Sequence, residues 1–128
     1  MRRDAGLPAG SVAGLNWDRA LLEATLPDLT PAHVLLGVPL YGRAWGNLAG
    51  ASAYSNVLYN ALSQPGARVS YDFGAQTPFV VSANGGMTTY FDDGDSLARK
   101  IALVRTYGLA GIAAWRLGFE DPRFWSLF

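Results

Sequence analysis

YFDDGDSLARKIALVRTYGLAGIAAWRLGFEDPRFW, residues 90–125, decides how this chain reads. Asp93 or Asp95 can cap a helix whose Leu97, Ile101 and Val104 fall on one face, and Gly108 can end it. LAGIAAW then runs apolar without alternation, as a strand covered on both faces does. Just past that run stand Trp115 and Arg116 side by side, a pairing that a simple buried strand does not require.

The same texture recurs upstream. Val34, Leu35, Leu36, Val38 and Leu40 in HVLLGVPLYG form a second continuous apolar run, with Pro39 expected where the ladder frays near the strand's C-terminal end. Before it, Asn16 is placed to cap a helix in which Trp17, Ala20, Leu21 and Ala24 recur at helical spacing until Pro27. Residues 1–14 mix Gly, Pro, Ala and charge and read as a loop.

The middle differs. A small-residue loop, Gly46 to Ala51, leads to Ser52 as the expected cap of a helix with Tyr54, Val57, Leu58, Ala61 and Leu62 on one face, closed by QPG. ARVSYDF then alternates, with Val69, Tyr71 and Phe73 opposed to Arg68, Ser70 and Asp72, and TPFVV and MTTYF flank the turn SANGG. The class is therefore α/β: a parallel sheet whose strands are joined through helices, interrupted by a small antiparallel α+β unit. The expected divisions are 15–45 for the first helix and strand, 53–91 for the insertion, and 95–128 for the last helix, strand and tail.

Composition narrows the function classes. At 128 residues the chain is one domain or a piece of a larger one. Ten basic and ten acidic side chains balance, which gives no reason to expect nucleic acid or an anionic membrane surface as partner. No run of about eighteen apolar residues suits membrane insertion. MRRDAGLPAG lacks the apolar segment of an export signal, and no cysteine is present for disulfides or thiolate metal sites.

Chemistry in parallel α/β architectures gathers at the C-terminal ends of strands. That rule selects Tyr41, Arg43 and Trp45 in PLYGRAW, and Trp115, Arg116, Glu120 and Asp121 in AAWRLGFED. An indole can stack on the C–H face of a sugar while phenol, guanidinium and carboxylate bond its edges. The same residue types also suit a core Trp115 with a solvated Arg116, so they leave a sugar site, a carbohydrate-binding module and a purely structural domain all open. Asp92, Asp93 and Asp95 lack the spacing of a calcium loop and read as turn and cap residues. His33, the only histidine, precedes a strand and serves no triad. SANGG does not lead from a strand into a helix and so cradles no phosphate, and Tyr71-Asp72 suits a half-exposed strand face. No metal ligand set and no cofactor are expected.

Taken together, LLGVPLYGRAW, VSYDFGAQTPF and YFDDGDSLARKIALVRTYGLAGIAAWRLGFEDPRFW resemble the C-terminal part of glycoside hydrolase family 18, the chitinase-like family. The likeness runs from about residue 11 onward, and WRLGFEDPRFW is most similar to the bacterial branch of spore-cortex and peptidoglycan N-acetylglucosaminidases. The resemblance implies a fragment of a (β/α)8 barrel carrying its last two strands with the α+β insertion between them. It implies that Trp115 floors the subsite of the reacting N-acetyl sugar and that Tyr41 and Arg43 line the same cleft, with an N-acetylglucosamine-containing polysaccharide as substrate and an extracellular or cell-envelope setting. The family's D-x-x-D-x-D-x-E and M-x-Y-D motifs do not occur here, and the only glutamates are Glu23 and Glu120. No residue of this chain is therefore assigned as catalytic, and the chain alone is expected to be inactive, exposing its strand edges and inner faces unless the rest of the barrel is supplied.

Overall fold

The computed structural model describes residues 8–46 and 50–128. Strand β1 (Leu35–Pro39) and strand β7 (Gly111–Trp115) pair in parallel, from Leu35 opposite Gly111 to Pro39 opposite Trp115. Alternation along this pair sends Leu36, Val38, Ile112 and Ala114 to one face. There they pack with Leu22 of helix α1 (Leu15–Thr25) and with Leu97 and Leu103 of helix α3 (Gly94–Tyr107), alongside Leu40, Leu109 and Phe124. Leu40 and Leu97 are completely buried, each contributing about 1.5–3 kcal/mol of transfer free energy. The opposite face carries Leu35 and Trp115, which are 57% and 62% exposed. The unbroken apolar run of a two-sided buried strand is thus present with one side covered throughout and the other covered only at Pro39.

Helix α3 starts and stops where its sequence signals stand. Asp93 accepts from Ser96 N at 2.8 Å, and Ser96 Oγ accepts from Asp93 N at 2.9 Å, a reciprocal capping box. Gly108 closes the helix in the left-handed conformation, φ 65°. Helix α1 departs from expectation. It begins after Gly14, Asn16 only accepts from the neighbouring Trp17 N, and the inward phase is Asp18 and Leu22, leaving Trp17 and Leu21 partly exposed. A count of apolar residues places the buried face one residue away, because it cannot foresee a buried carboxylate.

The interrupting unit is a five-stranded antiparallel sheet of order β3-β2-β6-β5-β4. Its strands are β2 (Tyr41–Gly46), β3 (Gly50–Ala53), β4 (Arg68–Asp72), β5 (Thr77–Val81) and β6 (Met87–Tyr90), with helix α2 (Tyr54–Ser63) laid against it through Val57 onto Val80 and Phe91. Two expectations need correction. The antiparallel unit begins at Tyr41, not at residue 53, so Tyr41 and Arg43 belong to its first strand and not to the parallel one. The chain turns at Leu40, whose N–H still reaches Trp115 O at 2.6 Å; Pro39 ends the parallel ladder as expected, but with no Gly or Asn at the bend nothing signals that a new strand starts at Tyr41. Ser52 pairs with Gly42 in β3 instead of capping α2, and Ala53 takes the cap position without a side-chain bond. Of the loop expected at 46–51, residues 47–49 lie outside the described residues. SANGG forms the expected β5–β6 turn, with Asn84 Oδ1 accepting from Gly86 N at 2.9 Å. β4 is an edge strand, which leaves Val69 59% exposed, and Phe73 just beyond it is 80% exposed.

Candidate functional site

Where the parallel pair meets the insertion, Tyr41, Arg43, Trp115, Arg116 and Phe119 line an open cleft of about 380 Å³. Each wall has a local cause. Tyr41 and Arg43 are alternate residues of β2 and so share one face of that strand. Trp115 ends β7, and its peptide bond to Arg116 is cis. Its exposure excludes the reading of Trp115 as a core residue of this chain. Arg116 lies over the Phe119 ring, guanidinium carbon to centroid 4.2 Å, a cation–π contact. Phe119 O accepts from Tyr54 N at 3.0 Å, which fastens the post-strand loop to α2. Burial raises the Tyr41 phenol above its ordinary value against the opposing pull of Arg43, so the hydroxyl is a proton donor at neutral pH.

The other sequence candidates divide. Trp45 does not line the cleft; it meets Tyr90 edge to face at 6.3 Å between centroids. Glu120 turns away from the cleft, accepting from Gly118 N at 2.6 Å and Trp125 Nε1 at 3.1 Å. Asp121 is buried and acts as a brace: Gly94 N donates to it at 2.7 Å and Arg123 at 2.8–3.0 Å. Burial pushes the Asp121 carboxyl up, but these donors outweigh it and hold the group below the usual carboxylate range. A side chain at residue 94 would collide with Arg123, its Cβ falling 2.8 Å from Arg123 Cβ, so glycine lets the tail cross the helix start. His33 is exposed in a single turn of 3-10 helix, Pro31–His33. Asp72 Oδ1 takes Gly74 N and Ala75 N in a turn, and Tyr71 OH donates to Gln76.

Sequence reasoning missed a buried polar cluster. Lys100 Nζ lies 2.6 Å from Asp92 Oδ1, both side chains sealed from solvent, and Ser96 Oγ donates to the same oxygen at 2.8 Å. Asp18 of α1 is 1% exposed, and its Oδ2 has no partner among the described residues. Lys100 is paired with Asp92 alone, so the buried Asp18 has no bonded counter-ion and is best kept neutral. Burial pushes Asp18 up to about 7 although Lys100 pulls the other way, and it raises Asp92 as well. One clue stood in the sequence: Lys100 is three residues from Leu97 and Leu103, on the inward side of α3. Of the acidic trio, Asp93 caps α3 and Asp95 reaches Arg123 at 3.4 Å.

Chemically, the cleft offers an exposed indole face, a phenol and two guanidinium groups, and no carboxylate lines it among the described residues. That set suits stacking on a sugar ring and donation to its hydroxyl or amide oxygens.

Comparison with known proteins places this geometry. The model of the glycosyl hydrolases family 18 matches residues 3–120. YdhD of Bacillus subtilis, named as a sporulation-specific glycosylase, is 34% identical over 96% of this chain and 31% of its own length. The cortical fragment-lytic enzyme of the same organism is 29% identical over 96% of this chain and 31% of its own length. A chitinase from Chromobacterium violaceum superposes with a TM-score of 0.86 at 28% identity, covering 98% of this chain and 41% of that one. The spore cortex-lytic enzyme SleL of Bacillus megaterium does so with 0.84 at 25% identity, covering 97% and 31%. The chain thus spans about a third of the length of the curated relatives it matches, and its fold is the C-terminal part of a (β/α)8 barrel with an α+β insertion between the last two strands. Matched over nearly its whole length, the chain belongs to the glycosyl hydrolases of family 18.

Proposed function

We propose that this chain supplies the sugar-binding floor and one wall of a glycosidase that hydrolyses β-1,4-linked N-acetylglucosamine polymers, as found in chitin or peptidoglycan. The observation that carries the reading is the exposed indole of Trp115 facing the same cleft as Tyr41 and Arg43. In the substrate-assisted retaining route of the family, an acid protonates the glycosidic oxygen while the substrate's own acetamido oxygen attacks the anomeric carbon; water then opens the cyclic intermediate. Here Trp115 holds the reacting ring, and Tyr41 and Arg43 donate to its polar edge. The acid comes from elsewhere: Glu120 is committed to Gly118 and Trp125, and Glu23 accepts from Tyr107 OH at 2.8 Å on the outer side of α1. A polypeptide bearing the remaining barrel strands is the partner that fits the open face of β1 and β7.

Incubation of the purified chain with N-acetylglucosamine oligomers tests this reading. Saturable binding in equilibrium dialysis without release of shorter sugars is expected. Hydrolysis by the chain alone, with contaminating enzyme excluded, overturns the division of labour, and absence of binding overturns the sugar site. A second reading, a non-catalytic carbohydrate-binding module, draws on the same carboxylate-free cleft; it requires that adding the remaining barrel strands yield no turnover.

A further inference from the structure

The outer edge of the antiparallel sheet has a hydrogen-bonding phase that Pro78 fixes. In the β4–β5 ladder Pro78 lies opposite Tyr71. Its carbonyl turns the other way, toward β6, where it accepts from Phe91 N at 3.3 Å. A strand residue aims its N and its carbonyl to the same side, and Pro78 has no N–H, so Tyr71 makes no ladder bond with β5. The N–H and carbonyl groups of Tyr71 and Val69 therefore point past the edge, while those of Arg68, Ser70 and Asp72 bond inward to β5. No strand among the described residues pairs with that edge.

The edge also complements itself. Arg68 and Asp72 stand two residues to either side of Ser70 on one face of β4, and neither is in an ion pair among the described residues. The turn bonds that Asp72 accepts from Gly74 N and Ala75 N both use Oδ1. Val69 and Tyr71 flank Ser70 on the other face. An antiparallel second copy of β4 centred on Ser70 sets Arg68 against Asp72 at both ends, Ser70 against Ser70, and Val69 against Tyr71. The outward backbone groups of Val69 and Tyr71 then exchange bonds, and the side-chain pairs are opposite charges and aliphatic on aromatic. Centring on Val69 or Tyr71 leaves each charge opposite Ser70 or a glycine, and centring between residues sets outward groups against inward ones. Charges on an edge strand ordinarily repel another strand; opposite signs placed symmetrically about Ser70 do the reverse.

We propose that the β4 edge is a self-association surface, through which two copies of this chain join antiparallel over Arg68–Asp72 about a two-fold axis at Ser70. The inference is independent of the sugar-binding reading.

Because the sequence has no cysteine, one introduced thiol reports on one position. Across the two-fold axis, Ser70 meets its counterpart in a non-hydrogen-bonded pair, with Cα atoms about 4.5 Å apart and within disulfide range. The experiment compares disulfide dimer formation by Ser70→Cys, Val69→Cys and Ala83→Cys under mild oxidation, all three positions being exposed. Ser70→Cys should cross-link about tenfold faster than the other two, through the effective concentration that docking confers. Adding Arg68→Asp sets like charges opposite each other and should bring the Ser70→Cys rate down to that of Ala83→Cys. Sedimentation equilibrium of the unaltered chain should show a monomer–dimer equilibrium whose dissociation constant rises about tenfold in Arg68→Asp, the scale of two cross-strand pairs turned from attractive to repulsive. Equal rates at the three positions, as association through the open face of β1 and β7 would give, overturn the inference, as does a Ser70→Cys rate untouched by Arg68→Asp. An unaltered chain that stays monomeric up to its solubility limit overturns it too, and that measurement depends on no variant.

Discussion

Asp18→Asn should stabilise this protein at neutral and alkaline pH while leaving it nearly unchanged in acid. Asp18 is raised from 3.8 to about 7 by burial, a shift of roughly three units, and each unit is worth about 1.36 kcal/mol. The sign follows from proton counting. Between pH 3.8 and about 7 the native state holds the Asp18 proton while the unfolded chain has released it, so stability falls as pH rises across that window and levels off above it. The accumulated cost at pH 8 is at most about 4 kcal/mol, less whatever local relaxation recovers. An amide keeps the shape of the protonated acid and never ionises. Urea unfolding followed by tryptophan fluorescence at pH 4, 6 and 8 supplies the check, with the difference between variant and parent isolating Asp18 from every other titrating group. That difference should grow from near zero to several kcal/mol; a difference that is flat across the range refutes the assignment of Asp18 as the proton-bearing member of the cluster.

Three further outcomes follow from named contacts. Asp92→Asn, in contrast to Asp18→Asn, should destabilise by about 3–5 kcal/mol at pH 7, because it strips the buried Lys100 of its 2.6 Å partner; the same urea titration reads it. Asp93→Ala removes the α3 cap and should cost about 1 kcal/mol, seen as a lower unfolding midpoint with unchanged slope. Leu97→Ala should cost about 2–5 kcal/mol, whereas Leu35→Ala should fall well below that in the isolated chain, since Leu97 is fully buried and Leu35 is 57% exposed. Equal losses at the two leucines would mean that the inner face of β1 is covered in solution.

Much of the architecture was legible because it is written in local signals. Asp93, Ser96 and Gly108 bracket α3 by side-chain and backbone chemistry that needs no tertiary context, and the apolar runs around Leu36 and Ile112 mark the parallel pair. What failed depended on contacts distant in sequence. The bend at Leu40 is made by pairing of β2 with β3 and β6, not by a turn residue, so Tyr41 and Arg43 appeared to end a strand when they begin one. The inward phase of α1 buries Asp18, within electrostatic range of Lys100 and Asp92, and hydropathy alone assigns that position to solvent. At the site, residue type selected Trp115, Tyr41 and Arg43, which the fold brings together, but it also selected Trp45, Glu120 and Asp121, whose partners turn them elsewhere. The carboxylates were misplaced because Glu120 and Asp121 adjoin the cleft in sequence while their hydrogen bonds point them into the tail.

The most direct test of the sugar-floor account is to follow the indole N–H resonances of the four tryptophans by nitrogen-15 NMR while an N-acetylglucosamine oligomer is added. Trp115→Ala identifies the Trp115 signal by its disappearance. The account predicts that this resonance shifts most and saturably, with those of Trp17 and Trp125 nearly still, and that the variant no longer binds. A Trp115 signal that does not move while the sugar binds, or affinity retained in Trp115→Ala, contradicts it.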